Sequence, residues 1–207
     1  MVADGVVGAE HGWFECYEIQ RPVPMDIPVE AALPMCTWRE VYGGFGDFQL
    51  KPGADILVFG AGPAGLSFVK LARLLGLGYI GVVDPLEIKR RRALQMGADE
   101  AFEPGSVKAR AALSLIGMGG SICIYGVLAE PSITIHKHQA PYNFNLFVHQ
   151  WPTRSRERAA MEPLCDWVRQ GKLRAADFTT HEFPIDRIAE AIEAVRGGEA
   201  LKVLLRY

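Results

Sequence analysis

The stretch Ile56-Leu57-Val58-Phe59-Gly60-Ala61-Gly62-Pro63-Ala64-Gly65 decides the fold of this chain. Its first four residues form a continuous apolar run, which is typical of a β-strand covered on both faces. Three glycines follow in the spacing Gly-x-Gly-x-x-Gly, and the sequence then predicts a helix of about three turns that ends near Leu75. Strand, glycine loop and helix in this order predict the start of a parallel βαβ unit.

Each glycine of the loop has its own physical role in a site for a dinucleotide. Gly60 permits the tight turn, Gly62 lets a pyrophosphate approach the backbone, and Gly65 allows the helix to pack closely on the strand. Free amides and the positive end of the helix dipole would face the phosphates. Pro63 fits the first helical position, because its missing N–H would have no intrahelical partner. The alternative interpretation is a tight turn whose glycines serve packing alone.

An acidic residue follows the next predicted strand. Tyr79–Val83 is a second buried strand, and Asp84 comes directly after it, about 20 residues beyond Gly65. A carboxylate there can accept hydrogen bonds from an adenosine ribose and would repel a 2′-phosphate, so the sequence favours NAD over NADP. The three arginines at 90–92 keep NADP open as an alternative. The other interpretation of these arginines is a solvated helix face.

The rest of the chain alternates predicted strands and helices. As far as residue 102 the order is β-α-β-α-β, which indicates an α/β fold with a Rossmann-type, doubly wound parallel sheet. The sheet is expected to be incomplete, because residues 103–120 hold one helix where such a fold has a further central strand. The other predicted elements are strands at 13–19, 101–102, 121–125, 132–136, 178–183 and 200–205, and helices at 29–43, 86–96, 107–116, 156–170 and 187–196.

Composition and charge exclude several other classes of protein. The 207 residues carry 22 basic and 24 acidic side chains, and a formal net charge of -2 gives no basic field for nucleic acid or an anionic membrane. The apolar runs predict no membrane-spanning helix, and the first residues predict no signal peptide. Four scattered cysteines without a Cys-x-x-Cys pair predict a reduced, cytoplasmic protein.

Four segments outside the glycine loop form a recognisable set: Leu50-Lys51-Pro52-Gly53, Gly97-Ala98-Asp99, Phe183-Pro184-Ile185-Asp186 and Leu201-Lys202-Val203-Leu204-Leu205. With the loop they resemble the medium-chain dehydrogenase/reductase family, the zinc-type alcohol dehydrogenases and their relatives, from about residue 11 to Tyr207. The resemblance implies an NAD(H)-dependent oxidoreductase that transfers hydride between nicotinamide and an alcohol, polyol or carbonyl substrate. It also implies a homo-oligomer, with 132–136 as the candidate pairing edge.

The same resemblance implies particular site residues. The phosphate loop would be Gly60, Gly62, Pro63, Ala64 and Gly65; Asp84 would hold the ribose with help from Lys89; Gly126 and Val127 would end the strand beside the nicotinamide; Lys202 would reach the pyrophosphate; and Cys36 would stand where zinc-dependent members place a cysteine ligand of the catalytic zinc.

The sequence also departs from the family pattern. Most of the large N-terminal catalytic domain has no counterpart, and the strand missing from 103–120 would lie beside the first strand. Either the helix and strand rearrange to close the gap, or the sequence is an abridged form. We therefore expect residues 1–40 to be a remnant of the catalytic domain, 41–136 the dinucleotide-binding domain, and 137–207 a segment that completes both.

The catalytic centre is the least defined part. Zinc catalysis requires three protein ligands, and Cys36 is only one. Further candidates are His11, Cys16, His136, His138, His149, Cys165 and His181. Cys36 could equally be a buried apolar residue, and His136 and His138 surface histidines. No group that would polarise a substrate carbonyl is evident, so a non-catalytic dinucleotide-binding module, an inactive truncated dehydrogenase and, less favoured, a methyltransferase stay open.

Overall fold

A computed structural model describes residues 21–104, 117–126, 134, 141–198 and 200–207. The chain divides into two compact units. The central unit comprises residues 48–151, and the terminal unit comprises residues 1–47 together with 152–207. The division into domains at 1–40, 41–136 and 137–207 stays a prediction.

Helices and strands alternate in the first part of the central unit, and helices predominate at the start of each segment of the terminal unit. The helices are α1 (Val29–Asp47), α2 (Pro63–Leu74), α3 (Glu87–Met96), α4 (Arg154–Ala159), α5 (Met161–Arg169) and α6 (Ile188–Arg196). The strands are β1 (Ile56–Phe59), β2 (Ile80–Val83), β3 (Glu100–Phe102), β4 (Ser121–Tyr125), β5 (Asn145–His149), β6 (Thr179–Pro184) and β7 (Lys202–Arg206), and short 3-10 turns span Ala175–Asp177 and Ile185–Arg187. In the described part of the chain, no helix is long and apolar enough to cross a lipid bilayer.

Parallel pairing builds both sheets of the central unit. The first has the order β1-β2-β3, with Ile56 opposite Ile80 and Gly81 opposite Glu100. The second pairs β4 with β5, and Ser121 lies opposite Asn145. Helices α2 and α3 connect the strands of the first sheet in sequence, as the β-α-β-α-β pattern predicts.

Strand β1 is less covered than its apolar sequence predicts. All four residues of β2 are buried, whereas β1 is only half-buried and Phe59 is 47% exposed. The prediction of cover on both faces was therefore wrong for β1, although it holds for β2. Among the described residues β1 pairs with β2 alone, so its side chains have a neighbouring strand on one side only and stay open to solvent.

Arg73 and Asp99 fasten the amino-terminal end of the first sheet. The Arg73 guanidinium donates to the carbonyl of Gly97 at 2.8 and 3.0 Å, and it pairs with Asp99 at 2.6 Å. Asp99 in turn accepts the N–H of Ile80, the first residue of β2, at 2.8 Å. Gly97 ends α3 with a φ of 116°, a conformation that favours glycine, and places its carbonyl within reach of Arg73.

An aromatic cluster packs the second sheet against α2 within the central unit. Phe48 contacts Phe68 of α2, Tyr125 of β4, and Phe147 and His149 of β5, at ring-centroid distances of 5.1 to 6.3 Å. Phe68 also meets Tyr125 edge-on at 5.1 Å. Each edge-to-face contact of this kind contributes about 0.5–1.5 kcal/mol of stability beyond the contribution from burying the rings. Strand β5 was not predicted from the sequence, and its ring side chains join this cluster.

The terminal unit is organised around α1. Trp38, which is fully buried, meets Phe178 edge-on at 5.2 Å. The buried Glu157 of α4 accepts from Arg39 of α1 at 2.9 Å, so the charge is paired inside the unit. Asp47, the last residue of α1, accepts the N–H and the O–H of Thr153 at 2.6 Å each.

Two helix predictions in this unit need correction. Helix α1 continues to Asp47 rather than ending at residue 43. The single helix predicted over 156–170 is two helices, α4 and α5, on either side of Ala160. Pro163 explains the interruption, because proline has no N–H to donate to the carbonyl of Ala159, the acceptor four residues earlier.

Candidate functional site

The glycine loop begins where β1 ends. Gly60 has a φ of 94°, which glycine adopts without strain, and its N–H donates to the carbonyl of Val83 at 2.8 Å. A Cβ on Gly65 would lie 1.8 Å from the Gly60 carbonyl oxygen, so helix and loop approach as closely as glycine permits. A Cβ on Gly62 would meet no heavy atom within 4 Å, so the space beside this residue is open. The environments of Gly60 and Gly65 match the tight turn and the close packing predicted from the spacing, and the role of Gly62 beside a pyrophosphate stays a prediction.

The amino-terminal end of α2 adjoins that open space. Gly62 precedes the helix in an extended conformation, no side chain caps this end, and Pro63 occupies the first turn. The helical bonds begin with the Leu66 N–H, which donates to the Gly62 carbonyl at 2.9 Å, so the amides of Ala64 and Gly65 precede them. Uncapped amides and the helix dipole together favour an anion.

Asp84 lies against this loop at the carboxyl end of β2. Its side chain is buried, and Oδ2 accepts the N–H of Ala61 at 2.7 Å while Oδ1 accepts the N–H of Leu86 at 2.8 Å. No ion pair of Asp84 is found in the described part of the chain. The structure thus brings the predicted acid and the predicted loop together, and the carboxylate is hydrogen-bonded by two main-chain N–H groups.

The three arginines of α3 have different environments, and Arg92 is half-buried. Arg91 pairs with Glu87 on the exposed surface of the helix. Arg90 is half-buried, and its Nη1 donates to the carbonyls of Asp84 and Pro85 at 2.8 Å each. The interpretation as solvated charges is therefore wrong for Arg90, because the turn after β2 brings two unpaired carbonyls within reach of its side chain. Lys89 is half-buried in the first turn of the helix, and its role stays a prediction.

The remaining predicted cofactor residues lie elsewhere. Gly126 follows β4 with a φ of 99°, and its N–H donates to the carbonyl of His149 at the end of β5, at 2.9 Å. Val127 lies outside the described residues. Lys202 begins β7 in the terminal unit. The roles of these three residues are not established by their positions.

The described residues do not assemble a zinc site. Cys36 is exposed on α1, so it is not the buried apolar residue considered as its alternative. Within residues 21–104, 117–126 and 141–207 other than Glu199, no three His, Cys, Asp or Glu side chains are grouped to hold a metal ion. His149 lies in the aromatic cluster and His181 stacks on Phe183, while His11, Cys16, His136 and His138 lie outside the described residues.

Burial disfavours the thiolate form of the cysteines in β4 and α5. Burial raises the pKa of the Cys123 thiol in β4 to about 11. Burial also raises the pKa of the Cys165 thiol in α5. Because the thiolate is the form that binds a metal, both residues fit a packing role better than a metal-binding one.

This geometry defines a structural class: parallel strands, crossover helices and a glycine loop beside an acid constitute a Rossmann-type α/β fold. Solved structures agree. The chain superimposes with a TM-score of 0.76 and 20% identity on a short chain alcohol dehydrogenase from Escherichia coli CFT073 in complex with NADH, covering 90% of this chain and 62% of that one. An alcohol dehydrogenase from Thermus sp. ATN1 gives a TM-score of 0.72 at 20% identity, with 90% and 62% coverage. The predicted fold class is confirmed.

Known proteins with similar sequences indicate the family within this class. L-threonine 3-dehydrogenase of Anaeromyxobacter sp. (strain K) is 24% identical over 89% of this chain, and sorbitol dehydrogenase of Halalkalibacterium halodurans is 28% identical over 66% of it. The chain spans 60% and 40% of these two proteins. No family profile matches the chain. The relatives are named as alcohol, L-threonine and sorbitol dehydrogenases and a D-xylulose reductase, and the structural neighbours as alcohol or zinc-binding dehydrogenases. These matches confirm the resemblance to the medium-chain dehydrogenase/reductase family.

Sequence reasoning missed two features of this site. It did not foresee that Asp84 holds the N–H of Ala61, because the bond joins residues 23 positions apart. It also did not foresee the bonds of Arg90 to the carbonyls before α3. The available signal was the position of Arg90 in the first turn of the helix, from which a long side chain can reach back to the preceding turn.

Proposed function

We propose that this chain binds NAD(H) and belongs to an oxidoreductase that acts on an alcohol, a polyol or a carbonyl compound. The geometry of the glycine loop is the observation that carries the proposal. An open backbone position at Gly62, an uncapped helix end and a buried acid lie together at the carboxyl end of β1 and β2. This edge of a parallel sheet is where such folds bind their ligands.

The residues of the central unit fit the adenosine half of a dinucleotide. The pyrophosphate would lie beside Gly62, where a side chain would otherwise fill the space, and receive hydrogen bonds from the amides that begin α2. Asp84 would accept from the ribose hydroxyls with the lone pairs not used by Ala61 and Leu86. A 2′-phosphate beside this carboxylate would be repelled, which supports NAD over NADP.

The nicotinamide would supply the hydride chemistry, and the chain would hold and orient it. We place the nicotinamide beside Gly126 and Val127, and we assign Lys89 and Lys202 as auxiliary cations of the dinucleotide, on the family resemblance alone. No step in this proposal passes through zinc, because the described residues around Cys36 do not form a ligand set. The substrate class rests on the relatives, which are named for alcohols, threonine, xylulose and sorbitol.

Titration of the purified protein with NADH tests cofactor binding directly. The expected result is enhanced, blue-shifted NADH fluorescence that saturates below millimolar cofactor and is competed by ADP-ribose, which shares the adenosine half. Absence of saturable binding of NADH, NADPH and ADP-ribose would refute the proposed function.

A second candidate function is a dinucleotide-binding module that catalyses nothing. The absence of a metal-ligating group among the described residues favours it, because the zinc-type reaction needs three protein ligands and an open position. Metal analysis and alcohol-dependent reduction of NAD distinguish the two candidates. About one zinc per chain together with turnover supports the enzyme, whereas saturable NADH binding without turnover or metal supports the module.

We further propose that the chain forms homo-oligomers, as the family resemblance implies, and that it resides in the cytoplasm, as its four scattered cysteines indicate. Light scattering on the purified protein tests the association. A mass of at least twice 22.8 kDa is expected, and a single species of 22.8 kDa would reject it.

A further inference from the structure

Arg90 makes an unusual contact for a helix arginine. Its side chain turns back from the first turn of α3 toward the end of β2, where Nη1 donates to the carbonyls of Asp84 and Pro85 at 2.8 Å each. One nitrogen with two hydrogens thereby bridges two consecutive carbonyls.

With this bridge, every polar group of Asp84 takes part in a hydrogen bond. Its N–H donates to the carbonyl of Phe102 in β3 at 3.1 Å, and its carboxylate receives the N–H groups of Ala61 and Leu86. Its carbonyl accepts from Arg90. Three of these four contacts involve main-chain partners that almost any residue at those positions would supply. Arg90 is the one side chain among these partners that fixes the acid.

We propose that Arg90 is a positioning residue for the adenosine end of the dinucleotide, and that it strengthens the preference for a cofactor without a 2′-phosphate. The inference rests on the proposed function, because it assumes that Asp84 faces the ribose. A turn bound by Arg90 keeps the carboxylate from swinging aside, so its charge remains where a 2′-phosphate would lie.

The same contact removes Arg90 from the group of cations that could bind a phosphate. A guanidinium already bonded to two carbonyls would have to break both bonds to reach a 2′-phosphate. Arg91, its neighbour in the sequence, instead pairs with Glu87 on the exposed face of the helix, with side-chain exposures of 73% and 65%. The two arginines thus form a matched pair that differs in contact with the Asp84–Pro85 turn.

The test compares Arg90→Met, Arg90→Lys and Arg91→Met with the parent protein. Methionine keeps much of the aliphatic stem and removes the donors, whereas the lysine ammonium can still donate to both carbonyls. NADH and NADPH are titrated by fluorescence, and each variant's melting temperature is measured. For Arg90→Met we expect a Kd for NADH about three- to tenfold higher and no increase for NADPH, so the preference for NADH falls by at least about threefold.

Two control variants test whether the effect comes from the hydrogen bonds of Arg90 rather than from loss of a positive charge on α3. Arg90→Lys should restore most of the NADH affinity, and Arg91→Met should leave both constants within about twofold of the parent values. Should Arg90→Met not fold, Arg90→Gln takes its place. Its amide nitrogen lies two bonds nearer the backbone than Nη1 and falls short of the two carbonyls, so the same direction of change is expected.

Three results would overturn the inference. Selective weakening of NADPH by Arg90→Met would show that Arg90 binds the phosphate. A lower melting temperature with unchanged Kd values for both cofactors would show that the bridge serves stability alone. Failure of the parent protein to bind either cofactor would overturn the proposed function and this inference together, whereas NADH binding that Arg90→Met does not change overturns only this inference.

Discussion

The two ends of strand β2 each contact an aspartate, and the two side chains have different environments. At the amino-terminal end Asp99 accepts the N–H of Ile80 and pairs with Arg73, and its side chain is 42% exposed. At the carboxyl end Asp84 is 4% exposed and accepts two main-chain N–H groups with no ion pair in the described part of the chain. A carboxylate with a cationic partner stabilises the fold, whereas a buried carboxylate beside an open backbone cradle remains able to select a ligand.

Two glycines of the loop, Gly62 and Gly65, also differ in the space around them. A Cβ atom added to Gly65 would lie 1.8 Å from the carbonyl oxygen of Gly60, whereas a Cβ atom added to Gly62 would face open space. One position is therefore closed by packing and the other is open to a ligand. Substitutions at these positions should separate stability from binding.

The largest effect on stability is expected from Gly65→Ala. The added methyl would collide with the Gly60 carbonyl, which is backbone and cannot move without shifting β1 or α2. Chemical denaturation should show a loss of about 3 kcal/mol in the free energy of unfolding, near the upper end of overpacking costs. Gly117→Ala is the control, because it has open space and an ordinary φ, and it should change stability by no more than about 0.5 kcal/mol. Equal stability of the two variants would contradict the close packing of Gly65 on Gly60.

Isosteric replacement of the two aspartates gives the next largest effect. Asp84→Asn places an NH2 group against one of two inward-facing N–H donors, so we expect a loss of about 1–3 kcal/mol and at least about tenfold weaker NADH binding. Asp99→Asn keeps an oxygen for Ile80 and loses only a surface ion pair, so its loss of stability should be clearly smaller than that of Asp84→Asn. Denaturant titration and NADH fluorescence measure both quantities. If Asp99→Asn weakened NADH binding as much as Asp84→Asn, the two ends of β2 would not differ in function.

Acid titration sharpens the comparison at the amino-terminal end. The N–H of Ile80 and then Arg73 hold the pKa of Asp99 below its usual value of 3.8. A lowered pKa in the folded state means that the ionised carboxylate stabilises the protein above pH 3.8 and that this contribution is lost as the pH falls through the folded-state pKa. The stability difference between the parent and Asp99→Asn should therefore be present at about pH 6 and shrink progressively as the pH falls below 3.8. A difference that grows on acidification would contradict the stabilising role of the ionised carboxylate.

The smallest effect is expected from Arg91→Met. This side chain pairs with Glu87 in an exposed contact four residues apart on α3, and such pairs contribute about 0.3–0.5 kcal/mol. The melting temperature should change by about 1–2 °C, and raising the salt concentration should abolish the difference. Persistence of the difference at high salt would show a contact beyond charge pairing.

Local patterns in the sequence were sufficient for the carboxyl end of β2. The glycine spacing and the position of the acid after β2 predicted that the loop and Asp84 lie at this end of the sheet, although the bond from the Ala61 N–H to Asp84 was not foreseen. Gly97 likewise ends α3 in the left-handed conformation that helix-ending glycines adopt. Such features depend on backbone geometry within one or two turns.

Features that depend on distant partners could not be predicted. The apolar run of β1 cannot reveal which strand lies beside it, and Phe59 is 47% exposed because the described sheet has no second neighbour there. Strand β5 has a mixed sequence, and its position follows from pairing with β4 and from Phe147 and His149 in the aromatic cluster. The environment of Arg90 required knowing where the Asp84 and Pro85 carbonyls point.

The central claim, that the loop holds a dinucleotide pyrophosphate against main-chain amides, is tested most directly by Gly62→Val. Gly62 has an extended backbone with a φ of -76° and open space at its Cβ position, so valine should leave the melting temperature within about 2 °C of the parent value. The side chain would fill the space for the phosphates, and NADH titration should give a Kd at least about 100-fold higher. An equally stable variant that binds NADH as tightly as the parent would contradict the account.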